Sequence, residues 1–305
     1  MSSKHKKEIQ PYALDKQKVQ AAFDHAALSY DEAAVLQHEV GQRVMDRLEF
    51  IKIEPEIIID IGSGTGRLSS AVTERYPDSR VYSLDLAPAM LNYARQQSIT
   101  QPAGFVCADA EQLPFNDQSV DMIVSNVTIQ WCMNLEQAFK EFHRVIKPGG
   151  LLMFTTFGPD TLKELRTSWS GVDEYNHVNA FFDMHDIGDA LKRLGLSDPV
   201  MDVENFTLTY QEATTLMRDL KAVGAHNVTA GRPHGLTGKQ RLQKVIKRYE
   251  QFRMDDGLLP ATYEVIYGHA WAPIPRDMDD MGDMLEDGSV SIPLSRMRQR
   301  LGIKK

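Results

Sequence analysis

Cysteine, long apolar runs and excess positive charge are all scarce in this sequence. Of its 305 residues only Cys107 and Cys132 are cysteines, and neither lies in a Cys-x-x-Cys or Cys/His spacing, so we expect no disulfide framework and no zinc site. No apolar run approaches the roughly 18 residues that a membrane-spanning helix needs. Residues 1–15 are basic and polar but lack the apolar stretch of a signal peptide. These absences predict a reduced, cytoplasmic compartment.

The charge balance argues against a protein that binds polyanions over its whole surface. The net charge is −8, so any basic surface has to be local. The hydrophobic fraction of 42% and the charged fraction of 25% are ordinary for a globular protein. The length allows one large domain or a domain with a substantial insertion.

Short β-branched runs alternate with helical patterns through the first half of the chain. Residues 15–48 carry apolar residues near helical spacing. Strand patterns follow at 57–61, 81–84, 105–108, 121–125 and 151–156, with helical patterns at 67–75, 87–97 and 135–146 and a turn at Pro148-Gly149-Gly150. This alternation is typical of βαβ units, whose strands pair in parallel.

Two further strands are predicted in the second half, at 203–210 and 262–271, and the residues between them show helical patterns. The predicted fold is α/β, a doubly wound, mostly parallel seven-stranded sheet of Rossmann-like type with a helical cap inserted between its last two strands. The predicted division is a flexible N-terminus (1–14), a cofactor-binding domain (15–210 with 262–271), the cap (211–261) and a loosely ordered tail (272–305).

A glycine-rich turn follows the first predicted strand, in the run from Asp60 to Gly66. Glycine tolerates positive φ, and its missing Cβ lets a ligand approach the backbone. The pattern is Gly-x-Gly-x-Gly, whereas a dinucleotide fingerprint would need a further glycine where Arg67 stands, and no Walker Gly-Lys-Ser/Thr follows. The turn therefore favours a nucleoside ligand without phosphates.

Polar residues end the next three strands on the same side of the predicted sheet. Asp85 is placed to accept hydrogen bonds from ribose hydroxyls, Asp109 to accept one from an adenine amino group, and Asn126 follows the fourth strand. Each acid alone could be a helix cap or a solvated loop charge, but their combination with the glycine turn favours a nucleoside cofactor. The predicted cofactor-binding residues are Asp60, Gly62, Ser63, Gly64, Asp85, Leu86, Asp109, Ala110, Asn126 and Gln37.

Taken together, Asp60–Gly66, Asp85, Asp109 and the Pro-Gly-Gly run resemble the class I S-adenosylmethionine-dependent methyltransferases. The resemblance implies that the glycine turn carries the methionine portion of S-adenosylmethionine. It also implies that Asp85 holds the ribose, that Asp109 holds the adenine, and that Asp60 helps to position the amino group of the ligand.

Several further segments resemble one subfamily, the malonyl-acyl-carrier-protein O-methyltransferases of biotin biosynthesis. They cover most of residues 19–271 and are Ala26–Gln37, Ser125–Cys132, Pro159–Arg166, His177–Asn179, Leu216–Ala225, Gly235–Gly238 and Pro260–Trp271. The resemblance implies methyl transfer from S-adenosylmethionine to the free carboxylate of a malonyl thioester on acyl carrier protein, or on coenzyme A.

A carboxylate acceptor is already ionised at neutral pH, so its attack on a sulfonium methyl group needs no general base. Catalysis would rest on orientation and exclusion of water. We expect Tyr30 to lie at the methyl group and Arg166 to pair with the malonyl carboxylate, helped by His226. Further candidates around the acceptor are Gln37, Asn126, Gln130, Trp131 and Phe157. The alternative for Tyr30 and Trp131 is an aromatic core position, and for Arg166 a solvated helix face.

A basic segment lies within the predicted cap. Between Arg232 and Arg253 there are seven Lys or Arg residues against one acid, Glu250. On a chain of negative net charge, such a patch favours an acidic partner. Because acyl carrier proteins are acidic, we predict docking at Arg232, Lys239, Arg241, Lys244, Lys247 and Arg248. The alternative is an ordinary solvated amphipathic helix.

Other functions stay open at the level of sequence. The same segments also resemble a relative that acts in respiratory complex I assembly and modifies a protein arginine. A quinone-type small-molecule methyltransferase is a second alternative, although the cap argues against it. A third is a cofactor-binding module without catalytic activity. A nucleic-acid methyltransferase is not expected, since no Asn-Pro-Pro-Tyr-type motif follows the fourth strand.

Overall fold

The computed structural model describes residues 14–97, 101–225, 227–229, 231, 238–275, 283–284 and 290–291. A seven-stranded sheet runs through residues 57–271. Its strands are β1 (Ile57–Ile61), β2 (Arg80–Asp85), β3 (Gly104–Cys107), β4 (Val120–Ser125), β5 (Ile146–Phe157), β6 (Ser197–Tyr210) and β7 (Leu259–Trp271).

The strand order is β3-β2-β1-β4-β5-β7-β6. The pairs among β1 to β5 are parallel, and β7 is antiparallel to both β5 and β6. The chain order reverses between β1 and β4, so the crevice for a ligand is expected at the carboxyl ends of these strands. The predicted α/β fold with a mostly parallel, doubly wound, seven-stranded sheet is confirmed.

Helices cover both faces of the sheet. They are α1 (Lys16–Ala26), α2 (Tyr30–Ala33), α3 (Val35–Leu48), α4 (Arg67–Arg75), α5 (Pro88–Gln97), α6 (Leu135–Val145), α7 (Lys163–Ser170), α8 (Met184–Arg193), α9 (Ala213–Ala222) and α10 (Lys239–Tyr249). Successive strand residues point to opposite faces, so Ile58 joins a core with α3, α4, α7 and α10, whereas Ile59 joins a core with α6 and α8. Burial on both faces explains why β1 reads as a continuous apolar run.

Several boundaries differ from the prediction. The helical pattern at 15–48 is interrupted, with α1 ending at Ala26 and α3 beginning at Val35. The predicted turn at Pro148-Gly149-Gly150 lies inside β5, where the pairing with β4 shifts its register between Val120 and Met122. The sixth strand begins at Ser197 rather than at 203, because this edge strand pairs with β7 along its whole length.

The segment between β6 and β7 carries α9 and α10. Tyr210, the last residue of β6, pairs with Leu259, the first residue of β7, so the two ends of the segment lie side by side. The side chain of Tyr249 at the end of α10 is buried, and its hydroxyl donates a hydrogen bond to the Pro260 carbonyl (2.8 Å). The segment is thereby held on the sheet.

The chain separates into two compact units, Met1–Ala272 and Pro273–Lys305. In the second unit, β8 (Asp283–Met284) pairs antiparallel with β9 (Val290–Ser291). The predicted flexible N-terminus lies outside the described residues except for its last position, and the predicted domain division stays a prediction. In the part of the chain that the structure describes, none of the helices combines the length and the apolar character that crossing a membrane requires.

Candidate functional site

A cavity of about 690 Å³ opens at the carboxyl ends of β1 to β4, and we call it the glycine-turn cavity. Its walls bring together eight of the predicted site residues, which are Tyr30, Gly62, Gly64, Asp85, Leu86, Asp109, Ala110 and Asn126. Lys16, Phe23 and Trp131 also line it.

The glycines of the turn meet two different demands. Gly62 and Gly64 have φ values of +73° and +53°, where a side chain would be strained. A Cβ on Gly62 would overlap the side chain of Thr128, whereas a Cβ on Gly64 would meet no atom within 4 Å. Gly62 therefore allows close packing, and Gly64 leaves the floor of the cavity open to a ligand.

Asp85 ties the end of β2 to the glycine turn. Its Oδ2 accepts a hydrogen bond from the Gly64 backbone N–H (2.9 Å), and its Oδ1 accepts one from the Ala87 backbone N–H (2.8 Å). Burial raises the pKa of the Asp85 carboxyl to about 6. A carboxylate offers about four acceptor sites in total, so acceptor capacity remains for two ribose hydroxyls.

Asp109 holds a partner that sequence reasoning missed. Its Oδ1 accepts a hydrogen bond from the Glu111 backbone N–H (3.0 Å), and its Oδ2 pairs with Lys16 of α1. The Lys16 Nζ also lies 3.0 Å from Glu111 Oε1. Because Lys16 lies 93 residues from Asp109, nothing in the local sequence pattern could have predicted the pair.

Three predicted cofactor-binding residues, Asp60, Ser63 and Gln37, lie outside the glycine-turn cavity. Asp60 is buried beneath the turn, where its Oδ2 accepts a hydrogen bond from the Ser69 hydroxyl (2.6 Å). Burial raises the pKa of Asp60 to about 7. Ser63 lines a third cavity together with Gln37, His38 and Arg67, and this cavity shares Tyr30, Gly62, Gly64 and Asn126 with the glycine-turn cavity. Asp60 thus supports the turn from below. Its position does not favour direct contact with a ligand in the glycine-turn cavity.

The N-terminal segment covers the glycine-turn cavity through polar contacts. Gln20 donates a hydrogen bond to the Leu86 carbonyl (3.1 Å), Asp24 accepts one from the Ala89 N–H (2.9 Å), and Asp31 accepts one from the Thr65 hydroxyl (2.7 Å). Tyr30 lies within this covering segment. Burial, with the negative charge of Asp85 adding to it, raises the pKa of the Tyr30 hydroxyl. The hydroxyl therefore stays protonated and can donate.

Asn126 lines the glycine-turn cavity, but its side-chain amide is already engaged. Its Nδ2 donates to the Gln37 carbonyl (2.8 Å), and its Oδ1 accepts from the Thr155 hydroxyl (2.7 Å). The amide joins α3 to β5 across the end of β4. This geometry favours a role in holding the wall of the site.

A second cavity of about 750 Å³, the cap cavity, lies under α9 and adjoins the first. Trp131 lines both cavities, and Gln37 lines the cap cavity and the third cavity. The Trp131 ring meets Phe23 of α1 edge to face, with ring centroids 5.3 Å apart. Other lining residues include Phe157, His177, Asn179, Tyr210, Asp219 and Tyr263. Trp131 is therefore the wall between a nucleoside-sized site and a capped site.

The structure does not bring Arg166 to either cavity. Its side chain is exposed on α7, and its guanidinium donates hydrogen bonds to the carbonyls of Pro159 (2.8 Å) and Thr161 (2.9 Å). The predicted pairing of Arg166 with an acceptor carboxylate needs correction, because these contacts hold the charge at the surface. His226, its predicted helper, lies outside the described residues.

The predicted docking patch is only partly available for a partner. Lys239, Arg241, Lys244, Lys247 and Arg248 of the α10 region are all exposed, and Arg232 lies outside the described residues. The Arg248 guanidinium lies against Gly171, and its Nε donates to the Ser168 carbonyl (3.2 Å). Arg248 therefore helps to hold α10 on α7, in addition to carrying charge.

The part of the chain that forms the glycine turn matches a known protein family. Residues 59–154, which carry the glycine turn, Asp85 and Asp109, match the methyltransferase domain family. The YcgJ protein of Bacillus subtilis shares the fold, with a TM-score of 0.55 at 16% identity over 76% of this chain and 98% of that one. The match to the methyltransferase domain confirms S-adenosylmethionine as the predicted cofactor.

Two relatives resemble the chain almost end to end. The malonyl-[acyl-carrier protein] O-methyltransferase of Laribacter hongkongensis is 50% identical over 288 residues, which cover 90% of this chain and 96% of the relative. The enzyme of the same name from Methylovorus sp. is 52% identical over 272 residues, 87% of this chain and 92% of the relative. This chain therefore belongs to the malonyl-[acyl-carrier protein] O-methyltransferase family.

Proposed function

We propose that this chain transfers the methyl group of S-adenosylmethionine to the free carboxylate of a malonyl group on acyl carrier protein, an early step of biotin biosynthesis. The observation that carries the proposal is the pair of adjoining cavities that share Trp131. One has the acceptors that a nucleoside needs, and the other is closed by the cap.

The residues of the glycine-turn cavity fit the cofactor by their donor and acceptor chemistry. Asp85 would accept from the ribose hydroxyls, Asp109 from the adenine amino group, and Gly64 would leave the backbone open to the methionine portion. When bound, the cofactor supplies a methyl group on a sulfonium, which a carboxylate oxygen can attack. Both acids also favour binding of a cation.

The residues around the transfer point orient the reactants and exclude water. Because the malonyl carboxylate is already ionised, the site needs no group to remove a proton. Tyr30, whose hydroxyl stays protonated, can donate a hydrogen bond at the glycine turn. The covering segment and the cap close the two cavities, and such closure strengthens every electrostatic contact inside.

The acidic carrier would dock on the exposed lysines of the α10 region, Lys239, Lys244 and Lys247, together with Arg241. These side chains are exposed beside the segment that closes the cap cavity. Arg248 contributes charge while holding α10 in place. Opposite charges at the rim of an interface raise the rate of association more than they raise the final affinity. The predicted cytoplasmic location stays a prediction, supported by the two free cysteines.

The test supplies the protein with labelled S-adenosylmethionine and one of four acceptors: malonyl-acyl carrier protein, malonyl-coenzyme A, acetyl-acyl carrier protein or none. The acetyl carrier is the matched control, because it differs in lacking the free carboxylate. We expect base-labile label on the malonyl group alone. Equal labelling of the acetyl carrier, label on protein arginine, or cofactor binding without any transfer would each overturn the proposal.

A further inference from the structure

His177 lines the cap cavity and pairs with a largely buried aspartate, Asp173, in the loop after α7. His177 Nε2 lies 2.8 Å from Asp173 Oδ1, and the two side chains are only 9% and 10% exposed. The His177 ring stacks on Trp169, with centroids 3.5 Å apart and planes 7° from parallel. The ring is thus fixed in position by a hydrogen bond and by an aromatic face.

His177 differs in its possible charge from the other described residues that line the cap cavity. Among the described residues that line the cap cavity, His177 is the side chain that can carry a positive charge. Asp219 is the acid in the same lining, and it is hydrogen-bonded to Tyr210. A site for a carboxylate needs a donor, and a charge-assisted donor is about twice as strong as a neutral one. With Arg166 held at the surface, the cavity has no comparable group among the described residues.

We infer that His177, held in place by Asp173 and Trp169, recognises the carboxylate of the acceptor and so selects a malonyl group over acyl groups without a free carboxylate. The inference rests on the proposed function. A nearby negative charge stabilises the charged form of an imidazole, and His177 lines the cavity while its Nε2 pairs with Asp173. His177 would pair with one carboxylate oxygen and leave the other free for the methyl group.

This assignment also gives a reason for product release. The methyl ester carries no negative charge, so its attraction to His177 is lost as soon as it forms. The step itself requires no proton transfer, because the new carbon–oxygen bond forms on an ionised acceptor and the electron pair of the broken carbon–sulfur bond stays on sulfur.

Asp173 extends the contact to the docking helix. Its Oδ2 lies 3.8 Å from Arg241 Nη1 on α10. The carboxylate that holds His177 therefore also faces a residue of the surface on which we propose that the carrier docks.

The test is a binding measurement that does not depend on turnover. Malonyl-pantetheine and its methyl ester are titrated by calorimetry into the wild type, His177→Gln and His185→Gln, each saturated with S-adenosylhomocysteine. His185 is the matched control, because it too pairs with an aspartate, Asp183 (2.7 Å), but its side chain is 78% exposed. We expect the wild type and His185→Gln to prefer the malonyl compound and His177→Gln to lose about 10- to 100-fold of that preference.

Equal weakening of both ligands in His177→Gln would mean a damaged cavity and would overturn the inference, as would an unchanged preference. If His177→Gln does not fold, Asp173→Asn is measured in the same way. It keeps the ring and its stacking but removes the stabilising charge, and it should also lose the preference. A wild type that prefers the malonyl compound but methylates no carrier would reject the proposed function and leave this assignment standing. If the wild type methylates the carrier and His177→Gln keeps the same preference for the malonyl compound, the proposed function stands and the assignment of His177 is rejected.

Discussion

The glycine-turn cavity and the cap cavity adjoin at Trp131, but they are built in different ways. The first is formed mainly by residues at the ends of neighbouring parallel strands, with α1 and Tyr30 laid across them. The second is assembled from α3, the loop at 177–181, β6, α9 and β7, which are far apart in the chain. The first cavity thus follows from the order of the strands, whereas the second follows from the packing of segments that are distant in the chain.

The largest effect should come from removing the acid that the sheet presents to the cofactor. Asp85→Ala should weaken S-adenosylmethionine binding by about 100-fold or more, since each hydrogen bond to a charged acceptor contributes about 1.5–3 kcal/mol. Equilibrium dialysis measures the dissociation constant. Asp78→Ala, an exposed acid before the other end of β2, is the control and should bind normally. Normal cofactor binding by Asp85→Ala would remove the basis for assigning the ribose to this cavity.

Replacing Trp131, the residue that separates the two cavities, should affect turnover more than cofactor binding. Trp131→Ala joins the two cavities and should lower kcat by about 30-fold, because loss of alignment between reactants is costly even at about 1 Å. Trp131→Phe keeps a ring against Phe23 and should retain most of the activity. Steady-state kinetics with the malonyl carrier separate kcat from KM. If Trp131→Ala changed only the affinity for the cofactor, Trp131 would have a role in the glycine-turn cavity alone.

The affinity of the glycine-turn cavity for S-adenosylmethionine should depend on pH. Burial raises the pKa of Asp85 to about 6, and the ionised form is the one that accepts two ribose hydrogen bonds. Affinity for S-adenosylmethionine should therefore fall by about tenfold between pH 7 and pH 5, as the carboxylate takes up a proton. Calorimetry over this range measures it. Asp85→Asn cannot ionise and should show a nearly flat profile, and an equally steep profile in this variant would assign the titration to another group.

The docking surface should have a smaller effect, limited to the carrier. Lys244→Glu with Lys247→Glu should raise KM for malonyl-acyl carrier protein by about fivefold at low salt and leave KM for malonyl-pantetheine unchanged. The control pair, Lys140→Glu with Lys192→Glu, lies exposed on α6 and α8 at the other face of the sheet. Similar increases in both double variants would point to a general charge effect.

The smallest effect is expected at Arg166. Its guanidinium is bonded to the carbonyls of Pro159 and Thr161 at the surface, so Arg166→Ala should change KM for the malonyl carrier by less than about twofold. Kinetics at saturating cofactor measure the change. A loss of tenfold or more would restore the pairing that the sequence suggested.

The sequence could predict which residues meet where a residue follows its strand directly. Gly62, Gly64, Asp85 and Asp109 end successive parallel strands, so their meeting follows from the sheet alone. Lys16 was missed because its partner Asp109 lies on a distant loop, and only the packing of α1 across the sheet brings the two together.

The cap side could not be predicted in the same way. Arg166 and His177 both lie in segments that resemble the family, and residue type favoured the arginine as the partner of a carboxylate. The local backbone decides otherwise, because carbonyls of the loop before α7 take up the guanidinium. The position of His177 follows from its contacts with Asp173 and Trp169, in a loop that has no periodic pattern to reveal its orientation.

The pairing of Tyr210 with Leu259 has an evolutionary consequence. Because the inserted segment leaves and rejoins the sheet at adjacent positions, its length and composition can change without shifting the register of any strand. Each doubling of the length of such a loop raises the free energy of loop closure by only about 0.6 kcal/mol. A descendant could therefore exchange this segment, acquire a different carrier, and inherit its methyl-donor chemistry unchanged. The same two positions are natural junctions for grafting caps between relatives.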